Sequence, residues 1–477
     1  MVFNKNKIYT LILLVTFLLQ LSYTLRNMHE QGYKFINYYT AIHNDNGELF
    51  GPAENLLQNG TYSLEDNKPY TGRIPGISAV YIPLRLIFGQ DTTFTLLTLI
   101  PLLAYLFLLF SFFIHLRVNI NKDCALLVMI VLLLLTAYSS FTQTSPESYA
   151  IVFSITGFFF LFKVFHSSDK LRFFWAGFFL MLAVTFRGFL IPSMLAITIT
   201  IFVNQYFIKG FRRALALTII FAISLFSYIG IWTARNYLVT SEIIVLQKAD
   251  RHYKSPYKNS IQETKTTLKQ MGFETVEFYP LSPMYYVMGI DSVPADNYYE
   301  ITNNYGISKE RVDSLRMLIQ KSYQINDNTL EERIIATNIG VQKTIKENAG
   351  LLNFYLFVPL KNFLRSYTFN FTSGWGLPAW TEANIIEKLY RLTIWLCFHV
   401  SMLISILISI HSIITRKEVF ISLIWITWIS SMFFTYTYLL NQIEFKYYIT
   451  LMPLSIIVSA LIFINSKNSK SQSENVQ

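Results

Sequence analysis

TTFTLLTLIPLLAYLFLLFSFFIH, residues 92–115, contains no Asp, Glu, Lys or Arg and has the length of a membrane-spanning helix. A helix of about 20 apolar residues crosses the roughly 30 Å hydrocarbon core of a bilayer. The chain of 477 residues is 53% hydrophobic, 16% aromatic and only 14% charged, and its mean hydropathy is +0.38. In a typical soluble domain, about a quarter of the residues are charged. The sequence therefore predicts an α-helical polytopic membrane protein.

Apolar stretches of similar length recur along the chain. We predict about ten transmembrane helices, near residues 8–25, 92–115, 124–140, 148–165, 171–186, 189–208, 213–232, 392–414, 419–440 and 447–465. The pair within 171–208 can also be read as one interrupted unit, so the total is open by one or two.

The basic residues indicate how these helices are oriented. If ten helices alternate from a cytoplasmic N-terminus, the basic residues of the short connectors fall on one side; they are Lys5, Lys7, Arg117, Lys122, Lys163, Lys170, Arg172, Lys209, Arg212, Arg213, Arg416, Lys417, Lys467 and Lys470. Lys and Arg collect on the cytoplasmic side of membrane proteins. We therefore expect a multi-pass protein of the cytoplasmic (inner) membrane with both termini in the cytoplasm. The net charge of +10 fits this pattern, and no basic tract with interleaved aromatic residues predicts nucleic-acid binding.

The spans divide the chain into four predicted parts. They are an N-terminal transmembrane module with a first exported loop at 26–90 (1–235), an exported, mainly helical soluble loop domain (236–391), C-terminal transmembrane helices (392–466), and a disordered cytoplasmic tail (467–477). Within the loop domain, Thr329 and Glu332 have the spacing of a capping box. An apolar stripe at helical spacing accompanies them and consists of Leu330, Ile334, Val341 and Ile345.

The first exported loop carries a small acidic turn. Asp45 and Glu48 precede Pro52, which suits the first turn of a helix, and Gly60, which suits its C-terminal stop. The pattern predicts a short helix directly after the acids. From periodicity alone, solvated loop acids are as good an interpretation as a functional site.

A second segment of this loop, Ile74–Phe88, opens with Pro75 and closes at Gly89. It is amphipathic at helical spacing and too short to span a bilayer with ease. We expect it to lie along the membrane interface.

Five short motifs follow one another along nearly the whole chain. They are Asp45 with Ala53, Leu56-Leu57 and Gly60-Thr-Tyr62; Arg73-Ile-Pro75-Gly76; Ser145-Pro-Glu147 followed by Arg187; Trp232-Thr-Ala-Arg235-Asn-Tyr237; and Glu444-Phe-Lys446-Tyr447 with Pro453. In this order they resemble the type C (GT-C) integral membrane glycosyltransferases, in the branch of bacterial protein mannosyltransferase-like and aminoarabinose transferase-like enzymes.

The chain departs from the family pattern at several positions. Leu49 stands where an aromatic residue is usual, and Phe50 follows one place later. The pair Gly51-Pro52 is expected to break a helix that is often continuous, and Lys446 stands where Arg is usual. The long loop has no recognisable family domain, so the acceptor does not follow from the resemblance.

The resemblance implies the GT-C fold and inverting transfer of a sugar from a polyprenyl-phosphate donor on the exported face of the membrane. Displacement of a lipid phosphate requires a base for the acceptor hydroxyl and cations for the leaving phosphate. Asp45 is the expected base, Glu48 could share or take that role, and Glu147 is a second candidate acid. The expected donor-phosphate residues are Arg73, Arg187, Arg235 and Lys446. A divalent metal ion stays open, with His43 and the three acids as conceivable oxygen and nitrogen ligands.

Each of these residues also has a simpler interpretation. A basic residue at a helix end often extends to the interface without a partner in catalysis, and Glu147 suits a polar helix start after a proline. Two other classes of protein compete with an enzyme acting on a lipid-linked sugar and an unknown glycan, lipid or protein acceptor. One is a transporter or flippase of lipid-linked glycans, which should carry ionisable groups near the bilayer midplane. The other is a non-enzymatic scaffold of a glycan-assembly complex.

Overall fold

The structure is a computed structural model, and it describes a set of segments of the chain. They are 46–65, 68–120, 122–136, 145–165, 167–246, 305–322, 328–349, 384–435 and 451–474, with the isolated positions 14, 18, 260, 263, 264, 267, 356, 357 and 360. The chain divides into two compact units. The first comprises Met1–Gln247, Trp375–Met432 and Lys446–Gln477, and the second comprises Lys248–Gly374 and Phe433–Phe445.

Helices dominate the described segments. In chain order they are α1 Asn46–Asn59, α2 Gly76–Asn119, α3 Lys122–Thr136, α4 Pro146–Leu161, α5 Asp169–Phe186, α6 Ile191–Lys209, α7 Phe211–Thr240, α8 Lys309–Ser322, α9 Asn328–Ala349, α10 Ile385–Ile414, α11 Val419–Phe434 and α12 Leu451–Glu474. Between α1 and α2, the strands β1 Ser63–Glu65 and β2 Lys68–Pro69 pair antiparallel, with Ser63 opposite Pro69.

Four helical stretches are long and apolar enough to cross a membrane. They are Thr92–Asn119, Gly188–Lys209, Phe211–Thr240 and Trp395–Ile414. Three shorter apolar helices accompany them, at Pro146–Leu161, Val419–Phe434 and Pro453–Ile464. This is the architecture of a helical membrane protein, as composition predicted. The count of ten spans stays a prediction, since only Leu14 and Leu18 are described in the first of them.

Gly89 divides α2 into two helical segments. Its φ of 74° and ψ of −178° lie outside the helical region, in a conformation that a residue with a side chain adopts only with strain. The stretch before it ends in exposed apolar side chains, Leu86, Ile87 and Phe88. The helix boundary predicted at Gly89 is therefore confirmed, and the exposed apolar residues fit a segment that lies on an interface.

The expected break at Gly51-Pro52 is wrong. α1 begins at Asn46 and continues through Pro52 to Asn59, so this proline lies inside the helix and not in its first turn. A proline there removes one backbone hydrogen bond. Tertiary packing offsets that cost, because Phe50 is fully buried with ring centroids 5.0 Å from Tyr81 and 5.2 Å from Phe94. The stop at Gly60 is confirmed by its φ of 73°.

Two expectations for helix ends also change. α12 continues to Glu474, where composition predicted a disordered tail from residue 467. Extending an existing helix needs no new nucleation, so polar residues can continue it without a core of their own. In the second unit, α9 begins at Asn328, one residue before the Thr329 that the capping box would place outside the helix.

The second unit buries the predicted stripe of α9. Leu330, Ile334, Val341 and Ile345 are all at most 4% exposed. α8 packs against α9, and the Arg311 guanidinium donates a hydrogen bond to Thr344 Oγ1 at 3.1 Å. The mainly helical character expected of this part of the chain holds for its described residues.

The start of α2 lies against the end of α5. A Cβ added at Gly76 would lie 2.4 Å from the carbonyl oxygen of Thr185, closer than any real Cβ contact. We therefore expect Gly76→Ala to lower the free energy of unfolding by about 1–3 kcal/mol, the usual cost of overpacking. Thermal unfolding of the purified protein in detergent measures this. Gly230→Ala in α7, where an added Cβ meets nothing within 4 Å, is the control and should leave the melting temperature unchanged or higher.

Candidate functional site

Arg235 joins α7 to the first loop. Its Nη1 donates hydrogen bonds to the carbonyl oxygen of Tyr70 at 2.7 Å and to Asn236 Oδ1 at 3.0 Å. Its guanidinium carbon lies 5.0 Å from the ring centroid of Trp232 and 5.8 Å from that of Tyr62. Two aromatic faces and a carbonyl thus hold one cation in a fixed orientation.

Tyr62 continues this network toward α1. Its hydroxyl donates to Ser78 Oγ at 3.2 Å, and the Ser78 hydroxyl donates to the carbonyl oxygen of Leu49 at 2.7 Å. Burial raises the pKa of Tyr62 above its ordinary value, so the phenol stays protonated at physiological pH and acts as a donor. Contacts through Tyr62 and Ser78 therefore connect Arg235 to Leu49, the residue that follows Glu48.

Glu147 and Arg187 form an ion pair at the same end of the helices. α4 begins at Pro146 after the cap residue Ser145, whose Oγ accepts a hydrogen bond from the Glu147 backbone N–H at 3.2 Å. Arg187 follows the last residue of α5, and its Nη2 donates to Glu147 Oε1. The Glu147 side chain is 3% exposed and that of Arg187 is 16% exposed, so the acid is buried and the base is partly exposed. Stacking of Tyr149 on Phe186, with ring centroids 4.7 Å apart, fixes the two helices beside it.

Close backbone approaches bring the remaining elements to this end. Gly76 lies against Thr185 and Phe186, which places the turn that contains Arg73 beside the end of α5. The segment after α7 packs back against that helix, because Trp232 Nε1 donates a hydrogen bond to the carbonyl oxygen of Leu246 at 3.2 Å. We call this region, defined by Glu147, Arg187 and Arg235, the Arg235 end.

The structure pairs two of the predicted residues, Glu147 and Arg187, and one segment of the first loop, 70–76, contacts both Arg235 and the end of α5. Glu147, Arg187 and Arg235 lie at the Arg235 end, together with the turn that contains Arg73. Glu48 is the third residue of α1 and its side chain is not described. Asp45, Lys446 and His43 lie outside the described residues, so the predictions that concern their positions stay predictions.

The charges at this end are not all equally available to a ligand. Glu147 and Arg187 neutralise each other, so their pair has no net charge to offer a phosphate. The partners of Arg235 among the described residues are neutral, so none of them cancels its positive charge. For a divalent metal, the described part of the chain contains no group of three His, Cys, Asp or Glu side chains that could hold the ion.

Glu54 is a buried acid that the sequence reasoning missed. Its residue is 5% exposed, and its carboxylate accepts hydrogen bonds from the Tyr81 hydroxyl, from Arg85 Nε at 3.0 Å and from Gln58 Nε2 at 3.2 Å. Burial opposes the charge of Arg85, but the hydrogen bond and charge of Glu54 outweigh it and raise the Arg85 pKa. Burial and the same carboxylate raise the pKa of Tyr81. This cluster fastens α1 to the first segment of α2.

A signal for this cluster was present in the sequence. Glu54 and Gln58 are four residues apart, and so are Tyr81 and Arg85, so each pair occupies one face of a helix. The sequence alone does not tell which two faces meet.

No protein-family model, curated protein or solved structure matches this chain.

The pair of Glu147 and Arg187 predicts a specific pattern of stability. We expect Arg187→Gln to cost about 3–5 kcal/mol, because it leaves the buried Glu147 carboxylate without its counter-charge. Glu147→Gln should cost less, because Arg187 is partly exposed and water can solvate its charge. The double variant should cost clearly less than the sum of the two. Thermal unfolding of the four proteins gives the coupling energy, and additive losses would contradict the pairing of these two side chains.

Glu54 predicts a second, smaller effect. Glu54→Gln keeps the shape of the side chain but removes its negative charge. The hydrogen bonds that Arg85 and Tyr81 donate to residue 54 then go to a neutral amide oxygen instead of a carboxylate. We expect a loss of about 1.5–3 kcal/mol, the range for hydrogen bonds to charged groups. Glu242→Gln, an exposed acid after α7, is the matched control and should change stability by less than about 0.5 kcal/mol. Equal melting temperatures for both variants would refute the role of Glu54.

Proposed function

We propose that this protein is a type C membrane glycosyltransferase that moves a sugar from a polyprenyl-phosphate donor to a lipid, glycan or protein acceptor at the exported face of the membrane. One observation supports the proposal. The segment 70–76 of the first loop, which contains Arg73, contacts Arg235 through the Tyr70 carbonyl oxygen and the end of α5, next to Arg187, through Gly76.

A lipid-linked donor requires this kind of placement. Its polyprenyl chain stays in the hydrocarbon core, so its phosphate and sugar lie at a helix end and not at the bilayer midplane. Among the described residues, both hydrogen bonds of Arg235 use Nη1. A guanidinium has five N–H donors, so Nε and Nη2 are left to bind two phosphate oxygens at once. Arg235 is thus the best candidate to stabilise the leaving phosphate.

The base is expected at the start of α1. Asp45 directly precedes Asn46, the first residue of that helix, and Glu48 lies in its first turn. The Ser78 hydroxyl holds the Leu49 carbonyl and so fixes this turn relative to the Tyr62 and Arg235 network. In the proposed reaction, Asp45 takes the proton of the acceptor hydroxyl as its oxygen attacks the anomeric carbon. The bond to the lipid phosphate breaks on the opposite face, which inverts the configuration. General-base assistance of this kind is worth about 10²–10⁴-fold in rate.

The ion pair gives Glu147 and Arg187 a positioning role in this proposal. Glu147 orients Arg187 at the end of α5, against which Gly76 and hence the Arg73 turn pack. A transfer assay with and without a chelator tests whether the reaction requires a divalent metal ion.

The rival transporter or flippase predicts charges near the middle of the spans. In the four long apolar stretches described, the ionisable Lys, Arg, Asp, Glu and His residues lie near the ends of their helices, apart from His399 in the middle of α10. That distribution favours a reaction at the interface over a path through the membrane.

A transfer assay with radiolabelled polyprenyl-phosphate sugars tests the proposal. In membranes that contain equal amounts of protein, we expect Asp45→Asn to reduce the rate at least about 100-fold. Arg235→Gln should also reduce kcat, because it removes the cation expected at the leaving phosphate.

Glu48→Gln decides between the two acids, since it should leave most of the rate if Asp45 is the base. Asp123→Asn, an exposed acid in the first turn of α3, is the control. Equal turnover of wild type and Asp45→Asn would contradict the assignment of Asp45 as the base and favour the non-enzymatic scaffold.

A further inference from the structure

A second charged cluster lies at the opposite end of α5. Asp169, the first residue of that helix, accepts a hydrogen bond from Lys209 at the end of α6. Arg213 Nη2, from the start of α7, lies 3.4 Å from the same carboxylate oxygen, and Arg172 Nη2 lies 3.7 Å from the other. We call this region, defined by Asp169, Lys209 and Arg213, the Asp169 end.

Positive charge exceeds negative charge in this cluster. The hydrogen bond from Lys209 is the main cause that lowers the pKa of Asp169, and Lys163 lies near enough to add to the effect. One carboxylate therefore faces four described cations, which leaves three positive charges uncompensated. Two more exposed cations, Lys170 and Arg212, are adjacent in sequence to members of the cluster.

Arg172 adds an unpartnered donor within the cluster. Its residue is only 4% exposed, and its Nε has no hydrogen-bond partner among the described residues. The guanidinium is held by the rings of Phe173 and Phe420, at 4.7 Å and 6.0 Å from the two centroids. The turn before Phe420 carries Arg416, Lys417 and Glu418, which contribute one further net positive charge near this end.

Apolar side chains project beside these cations. Phe207 is 80% exposed, Ile208 65% and Phe211 57%, and they flank Lys209 and Arg213 along the chain. A free anion such as inorganic phosphate would not cover these apolar side chains. A phospholipid can do so, because its phosphate lies among the cations while its acyl chains cover the apolar residues.

We propose that the Asp169 end binds the phosphate headgroup of an anionic phospholipid. The exposed Arg212 and Arg213 contact the phosphate from the start of α7, and Lys209 contributes from the end of α6. Asp169 holds these cations in place and partly offsets their charge. This binding site lies at the other end of α5 from the Arg235 end, and it does not depend on the proposed transfer reaction.

Native mass spectrometry of the full-length protein in neutral detergent tests this proposal with phosphatidylglycerol as the probe. Phosphatidylcholine, with the same acyl chains and no net charge, and inorganic phosphate are the comparison ligands. We expect phosphatidylglycerol to bind well above both. Equal binding of phosphatidylcholine, or binding of inorganic phosphate as tight as that of the lipid, would overturn it.

Two variants of equal charge change locate the site. Arg212→Gln with Arg213→Gln should weaken phosphatidylglycerol binding about ten- to thirtyfold, since each basic residue near a lipid surface contributes about 1 kcal/mol. The control, Arg117→Gln with Lys122→Gln, should bind within about twofold of wild type. Equal weakening by the two double variants would show adsorption to basic surface in general and would refute a site at the Asp169 end.

Discussion

The close approach of Gly76 to the end of α5 is the contact on which the Arg235 end depends. A side chain at residue 76 would lie on the Thr185 carbonyl oxygen, so only glycine lets the first loop reach this helix end. α2 begins at this glycine, and Ser78 in its first turn donates a hydrogen bond to the Leu49 carbonyl of α1 and accepts one from Tyr62. The Arg73-Ile-Pro75-Gly76 motif and Arg187 are far apart in the sequence, and they become neighbours because the backbone at Gly76 lies directly on the backbone at Thr185.

The two ends of α5 use charge in different ways. At the Arg235 end, the charges of the buried acid Glu147 and the partly exposed Arg187 cancel, while Arg235 is held by aromatic rings and a carbonyl. At the Asp169 end, a single carboxylate gathers several cations and leaves an excess of positive charge beside apolar surface. The first arrangement suits an oriented group, and the second suits the binding of a phosphate headgroup beside apolar surface.

Much of the architecture was predictable because a bilayer imposes long apolar helices. The helix boundaries at Gly60 and Gly89 followed from glycine's access to positive φ, and the apolar stripe of α9 followed from its spacing. The prediction at Pro52 failed because local propensity was outweighed by the burial of Phe50 against Tyr81. The polar tail was predicted as disordered from composition, yet α12 extends into it.

The sequence by itself determined that this is a helical membrane protein and that the connectors between its apolar helices are rich in basic residues, since both follow from the cost of placing polar groups in hydrocarbon. It also supplied the order of the motifs. Only the tertiary structure decided which side chains meet. The pairing of Glu147 with Arg187, the contact of Arg235 with Tyr70, and the burial of Glu54 all join residues from different helices or loops. Such contacts depend on which helix faces pack together, and helical periodicity fixes each face without choosing its partner.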